Sequence, residues 1–338
     1  MLAAVVLLLS IYFSNENQQD GVRENERLIH SSDNQTAVTD YAGERSTEGL
    51  SLLIGQSSET VLSEYGEPTR IDFSSYGYEW WIYNEKDEAY MQIAVYNGQV
   101  VSLYALGNTL NITPFYIGQP INELYQFASL ETTIDIEWNG HTYRFELAEE
   151  DLGTRPLIRM GDIFAQVYVD KFTGMVTSVR FLDIPTLIEQ RPYELIYKGE
   201  LPEVKTLSDE EWSRVEEGNS EQIFEITNVI RKRFNVNPLQ WDEKTAEVAF
   251  LHSFDMYTEA YFSHESPTKG SLENRLQAGN ITYRTAGENI AAQYVDGIAV
   301  VQGWLNSKGH REALLNEEFT DLGVGVYKDT YTQNFIAK

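Results

Sequence analysis

Apolar residues change rhythm several times along this chain of 338 residues. Residues 2–13 are almost continuously apolar, and a polar stretch rich in Ser, Asn, Gln and Asp follows at once. From residue 50 to about 196, short runs such as Glu79-Trp80-Trp81-Ile82-Tyr83 and Thr142-Tyr143-Arg144-Phe145-Glu146-Leu147 read as half-buried strands. From residue 221 onward the apolar positions recur at helical spacing, beginning with Ile223, Phe224, Ile226 and Ile230.

Twelve apolar residues are short for a bilayer span, which takes about 20. The length fits the core of an export segment or the visible part of an anchor, so residues 1–15 are expected to carry the chain out of the cytoplasm and to associate its N-terminus with the membrane. A start further upstream would supply the missing basic flank. Residues 16–49 have almost no apolar periodicity and read as a polar tether.

Residues 50–196 carry an internal repeat. Leu53-Ile54-Gly55-Gln56 is echoed by Tyr116-Ile117-Gly118-Gln119, and each leads into a short helical pattern, at 58–64 and 121–127. Asn97-Gly98, between two β-rich runs, is a hairpin signal because both turn residues need positive φ, and Thr173-Gly174 repeats its setting. The expected domain is α+β, built of two similar halves, each a helix followed by antiparallel strands. Trp80, Trp81, Tyr83 and Tyr90 are expected in its core. Residues 197–217 contain Pro202 and much exposed charge and read as a linker crossed by few contacts, with Ser208-Asp209-Glu210-Glu211 as a helix N-cap followed by an acidic first turn. The second domain, 218–338, shows three or four helices and two terminal β runs, an α-β-α layered pattern. Two independent cores follow, with cleavage near Ser208 releasing a stable C-terminal fragment.

The net charge is −27, which disfavours nucleic acid and anionic lipid surfaces and leaves basic partners and metal ions open. There is no cysteine, so disulfides, thiolate metal sites and cysteine nucleophiles are excluded.

Candidate chemistry is confined to three signals: Tyr261-Phe262-Ser263-His264, Gly287-Glu288-Asn289-Ile290 and Gly309-His310-Arg311. Two of only five histidines stand here, 24 residues before and 22 residues after Glu288 (288 − 264 and 310 − 288). Two imidazoles and a carboxylate converging in one cleft make an acid/base site or a weak divalent-metal site on His264, His310 and Glu288. Ser307 shares a helical face with His310, which opens a hydrolase reading with Glu288 as orienting group. No Gly-x-Ser-x-Gly motif supports it. His252 lies mid-helix and reads as a core histidine.

The second domain resembles the CAP superfamily (cysteine-rich secretory, antigen 5, pathogenesis-related) in a cysteine-free bacterial form. The segments that carry the resemblance are His252-Ser253-Phe254-Asp255-Met256, Tyr261 to His264, Gly287-Glu288-Asn289-Ile290-Ala291, Trp304-Leu305-Asn306-Ser307-Lys308-Gly309-His310-Arg311, Phe319-Thr320-Asp321-Leu322-Gly323-Val324-Gly325 and Thr332-Gln333-Asn334-Phe335. The first domain resembles the module found ahead of such domains. The resemblance places the family's cleft histidines on His264 and His310 and its first acid on Glu288. Ser307 stands in the region of its second acid, so any zinc affinity is expected to be weak. It further implies an extracytoplasmic, non-enzymatic protein that binds a lipid, a cation or a protein partner at the cell envelope. An ester or peptide hydrolase using the same cleft is the alternative.

Overall fold

The computed structural model describes residues 43–338 apart from Ser129 and Val204. The expected export segment and the expected tether up to residue 42 lie outside the described residues. The last part of the expected tether is not free chain. Gly43 accepts a hydrogen bond from the Gly161 amide at 2.6 Å, and Arg45 donates to the carbonyls of Ser51 and Ile54 at 2.7 and 2.6 Å.

The first domain runs α1 (Ser58–Tyr65), β1 (Arg70–Phe73), β2 (Glu79–Tyr83), β3 (Met91–Tyr96), β4 (Gln99–Ala105), α2 (Ile121–Phe127), β5 (Thr133–Trp138), β6 (His141–Glu146), α3 (Glu149–Thr154), β7 (Leu157–Met160), β8 (Ile163–Asp170), β9 (Met175–Asp183), α4 (Ile184–Gln190) and β10 (Glu194–Lys198). Seven strands form one antiparallel sheet in the order β1-β2-β3-β4-β9-β8-β7. The two halves meet where β4 pairs with β9. The repeat is exact at the level of hydrogen bonds. Gly55 donates to the Val100 carbonyl and Val100 to Gln56, at 2.8 and 2.9 Å, while Gly118 donates to Val176 and Val176 to Gln119, both at 2.8 Å. Both hairpins carry a bulge at the matching step, Ala94/Val95 and Tyr168/Val169. One departure from the expectation is that β5 and β6 leave the main sheet and pair with β10 as a separate three-stranded sheet.

The second domain runs α5 (Asp209–Arg233), β11 (Gln240–Trp241), α6 (Glu243–Thr258), α7 (Leu272–Ala278), β12 (Thr285–Ala292), α8 (Gly297–Leu305), α9 (Lys308–Leu314), β13 (Asp321–Tyr327) and β14 (Thr330–Ala337). Its sheet has the order β11-β13-β14-β12. Ile336 packs with Val248 of α6 and with Leu272 and Leu276 of α7 on one face, while Phe335 packs with α5, α8 and α9 residues on the other. This is the expected α-β-α sandwich. The glycines of Leu322-Gly323-Val324-Gly325-Val326 set the position of α6. A Cβ on Gly323 would lie 2.1 Å from the Ala246 nitrogen, and one on Gly325 would lie 1.9 Å from that of Phe250. The helix backbone therefore rests directly on the strand backbone.

The join differs most from expectation. Ser208 and Glu211 form a capping box, so α5 begins at Asp209, inside the stretch read as linker. The domains share one core. Strand alternation sends Trp81 and Tyr83 toward the first domain's own interior. Trp80, Ile82, Ala94, Tyr104 and Tyr168 face the other way and cluster with Ile223, Ile226, Val300, Val301 and Trp304. Polar bonds stitch the seam. Arg180 donates to both oxygens of Asp296 at 2.8 Å, with neither side chain more than 6% exposed. Arg70 reaches Glu225 at 2.6 Å, Gln302 bonds Tyr104 and Thr177, and Asn306 bonds the backbone of Val169 and Lys171. Few-contact linkage is thus overturned: the seam is an interior.

Candidate functional site: a histidine, glutamate and arginine cluster

Glu288 is the hub. It lies on β12 opposite Asn334 of β14, on the face covered by α6 and α7, and is buried. His264 comes from the loop after α6 and places Nδ1 at 2.9 Å from Glu288 Oε1. With the carboxylate accepting, the proton sits on Nδ1. Arg275 of α7 donates through one guanidinium nitrogen to Glu288 Oε1 and Oε2 at 3.0 and 2.8 Å, and to the His264 carbonyl at 3.1 Å. His252 of α6 completes the cluster, with Nε2 at 4.0 Å from Glu288 Oε1 and 3.1 Å from the Ser263 carbonyl. A carbonyl can only accept, so His252 carries its proton on Nε2. Burial, partly offset by the Glu288 charge, pushes the His252 imidazole down to about 4.

His310 sits in the second turn of α9, buried, and its carbonyl accepts from Asn289 at 3.1 Å. Burial first, and repulsion from His264 second, push it down to about 4. Of the trio, His264 and Glu288 are in hydrogen-bond contact, and His310 is tied through its backbone carbonyl to Asn289, the residue after Glu288. The site is more closed than an open cleft: the His264 side chain is 14% exposed and that of Glu288 2%. Ser307 is the N-cap residue of α9, half-buried, with no side-chain capping bond and no hydrogen bond to Glu288 or His264.

The set proposed for zinc does not fit a cation. Among the described residues no three His, Cys, Asp or Glu side chains are placed to hold a metal ion. The reason is visible at Glu288, whose oxygens already face a buried guanidinium and whose Oε1 is bonded to His264 instead of sharing an ion with it. Arg275 is the residue of the cluster that sequence reasoning missed, whereas His252 is buried and bonded within the core as expected. The signal for Arg275 was its spacing, i+3 from Leu272 and i−1 from Leu276, which puts it on the buried stripe of a short helix.

Asp255 holds the loop that delivers His264. It accepts from Tyr261 and Ser266 hydroxyls at 2.6 Å each and from Thr268 at 3.4 Å. Asp255→Ala strips one partner from several hydroxyl groups, which costs about 1–3 kcal/mol. Faster amide exchange confined to residues 259–270 is the expected result. Unchanged protection there would show that Asp255 does not brace the loop.

Comparison with known proteins agrees with this architecture. The CAP-associated N-terminal model matches residues 54–193, and the cysteine-rich secretory protein family model matches residues 224–337. The uncharacterised membrane protein YlbC of Bacillus subtilis is 48% identical over 292 residues, covering 86% of this chain and 84% of that protein. The crystal structure of an extracellular SCP-domain protein from Bacillus anthracis superposes with a TM-score of 0.83 at 44% identity, covering 92% of this chain and all of that one. A cysteine-rich secretory protein of Staphylococcus aureus gives 0.80 at 28% identity, over 88% of this chain and 95% of the other. With the sandwich, the repeat-built first domain and these full-length likenesses in agreement, the chain belongs to the cysteine-rich secretory protein, or CAP, family in a form without cysteine.

Proposed function

We propose that this is a non-enzymatic binding protein acting outside the cytoplasm at the cell envelope, and that it recognises a protein partner whose apolar anchor is flanked by basic residues. The observation that carries the reading is a stripe on α6. Phe250, Leu251, Phe254 and Tyr257 are all exposed on one side of the helix, and the three aromatic rings gather round Tyr327 with centroids 6.0, 4.8 and 5.2 Å away. Exposed aromatic clusters of this kind mark interaction surfaces. Glu247 lies one turn before the stripe, Glu243 at the start of α6 and Glu259 just past the helix end, in a chain of net charge −27, so a basic partner is complementary. Extracellular and membrane descriptions of the relatives support the location.

Binding is favoured over turnover because Glu288 is committed to Arg275 and His264, and Ser307 lacks a bond to either cleft residue. A lipid reading wants an apolar channel. Two small cavities, of about 10 and 70 Å³, lie instead at the seam, among Ser74, Asn219, Asp296, Lys205 and Glu211.

The test uses a labelled synthetic peptide of alternating lysine and leucine with one tryptophan, beside the same peptide carrying glutamate for lysine. Anisotropy is expected to give at least tenfold tighter binding of the basic peptide, and Phe254→Asp to weaken it at least tenfold. Equal binding of both peptides, or no effect of Phe254→Asp, would refute the reading. Co-sedimentation with phosphatidylcholine vesicles that Phe254→Asp abolishes would favour lipid. Turnover of acyl esters or casein that His264→Ala abolishes would establish the hydrolase.

A further inference from the structure

We propose that β10 is a self-pairing edge: two copies of the chain join their β10 strands antiparallel about Ile196, and their three-stranded sheets become one continuous sheet. This inference is independent of the α6 partner surface.

Strand β10 is the last of the sheet β10-β6-β5, so one of its two edges has no neighbouring strand. The hairpin joining β5 to β6 decides which backbone groups lie along that edge. Asn139 and Gly140, both at positive φ, form its two-residue turn, and Trp138 and His141 close it as a hydrogen-bonded pair. Alternation then aims the N–H and C=O of Thr142, Arg144 and Glu146 at Lys198, Ile196 and Glu194 of β10. The N–H and C=O of Leu195 and Tyr197 point outward. Among the described residues no backbone hydrogen bond from outside the sheet reaches residues 194–198.

Glu194-Leu195-Ile196-Tyr197-Lys198 complements its own reverse. Laid antiparallel on a second copy, Glu194 stands opposite the partner's Lys198, Leu195 opposite the partner's Tyr197, and Ile196 opposite itself. The outward groups of Leu195 and Tyr197 then satisfy one another across the pair. Opposite charges at both ends favour this register, and Ile196, 53% exposed, gains an apolar neighbour. The chain carries a net charge of −27, yet Glu194 and Lys198 of β10 cancel, as do Arg144 and Glu146 beside them on β6. The other edges do not offer this. Pairing the middle of β5 with itself sets Asp135 against Asp135 or Glu137, and like charges directly opposite are unfavourable. At the far end of the larger sheet, β7 is already bridged by Gly43 at Met160. Two five-residue strands bury little area, so the pair is weak and forms at high local concentration.

The chain has no cysteine, so one introduced thiol reports the register. Ile196 meets its own copy in a pair whose Cα atoms lie about 4.5 Å apart, within reach of a disulfide. Two copies of Tyr197 form a diagonal pair about 7–8 Å apart, beyond that reach. The test oxidises the full chain mildly in detergent solution, at high protein concentration. Ile196→Cys is expected to form a disulfide-linked dimer at least tenfold faster than Tyr197→Cys, although Tyr197 is 48% exposed. Adding Tyr197→Pro to Ile196→Cys removes an N–H that no bond within the chain uses. It is expected to slow linkage at least tenfold with circular dichroism unchanged. In the same background Lys198→Glu is expected to slow linkage at least threefold, and Glu194→Lys/Lys198→Glu to restore it at unaltered net charge. Equal rates for the two thiols, or no recovery in the charge swap, would overturn the proposal. So would a folded Tyr197→Pro variant that links unimpaired; should that variant unfold, the charge swap decides. An Ile196→Cys chain that stays monomeric, the result expected if another segment or an unlike partner occupies the edge, overturns it too.

Discussion

Asp296→Ala is expected to destabilise the entire chain by about 3–5 kcal/mol, because it leaves the Arg180 guanidinium buried without its counter-charge. The same substitution removes the N-cap of α8, where Asp296 accepts from the Ala299 amide at 2.9 Å, at a further cost of about 1 kcal/mol. Arg180→Met with Asp296→Asn removes both charges together and keeps a capping side chain, so the double variant is expected to be the more stable of the two. Urea unfolding followed by tryptophan fluorescence and by far-ultraviolet circular dichroism is the measurement. Both signals are expected to move in one transition, since Trp80 and Trp304 belong to the same core. Two separated transitions, or an Asp296→Ala variant as stable as wild type, would restore the picture of two independent modules. The released C-terminal fragment expected from the linker composition is for the same reason not expected to survive alone.

Acid is the second strong perturbation. His252 and His310 are both held near 4 by burial, against about 6.5 in an unfolded chain. Above pH 6.5 neither state binds the protons, and stability is at its full value. As pH falls below 6.5 the unfolded chain takes up two protons that the native chain refuses, so stability is lost on the way down to about 4. At about 1.4 kcal/mol per pH unit, each histidine accounts for roughly 2 kcal/mol by pH 5. Chemical denaturation at pH 7, 6 and 5 is expected to show this slope, and His252→Gln/His310→Gln to flatten it. A slope unaltered in the double variant would mean that other groups carry the acid sensitivity.

What the sequence revealed and what it hid can be traced to particular residues. The repeat was legible because Gly55, Gly98, Gly118 and Gly174 all take positive φ, and turn chemistry is a local property. His264, Glu288 and His310 stood out because histidine is rare in this chain. Trp80 and Trp81 were both expected in the first domain's core; alternation puts them on opposite faces, and nothing local tells that the partner under Trp80 is a second domain. A strand records that a side is covered and not by what. Arg275 stayed hidden for a related reason. An arginine on a short helix ordinarily extends to solvent, and only the carboxylate arriving from β12 makes burial tolerable. The N-cap at Ser208 and the acidic first turn at 209–211 were legible as local chemistry, whereas the linker bounds to 217 were not, because nothing local shows that the helix runs on unbroken to Arg233.

The stitched seam has a use in reading other sequences. Asp296, Gln302, Asn306 and Arg311 all lie on α8, α9 or their caps, and all four bond the first domain, Arg311 through Asp170 at 2.9 and 3.0 Å. A CAP domain that lives alone has nothing across from these positions, and a buried guanidinium or amide there would gain no partner. Solitary and paired domains should therefore part company at these four sites, with small or freely solvated side chains in the first and this polar quartet in the second. A sequence carrying the quartet without a companion domain on its own chain would be expected to find that companion on another.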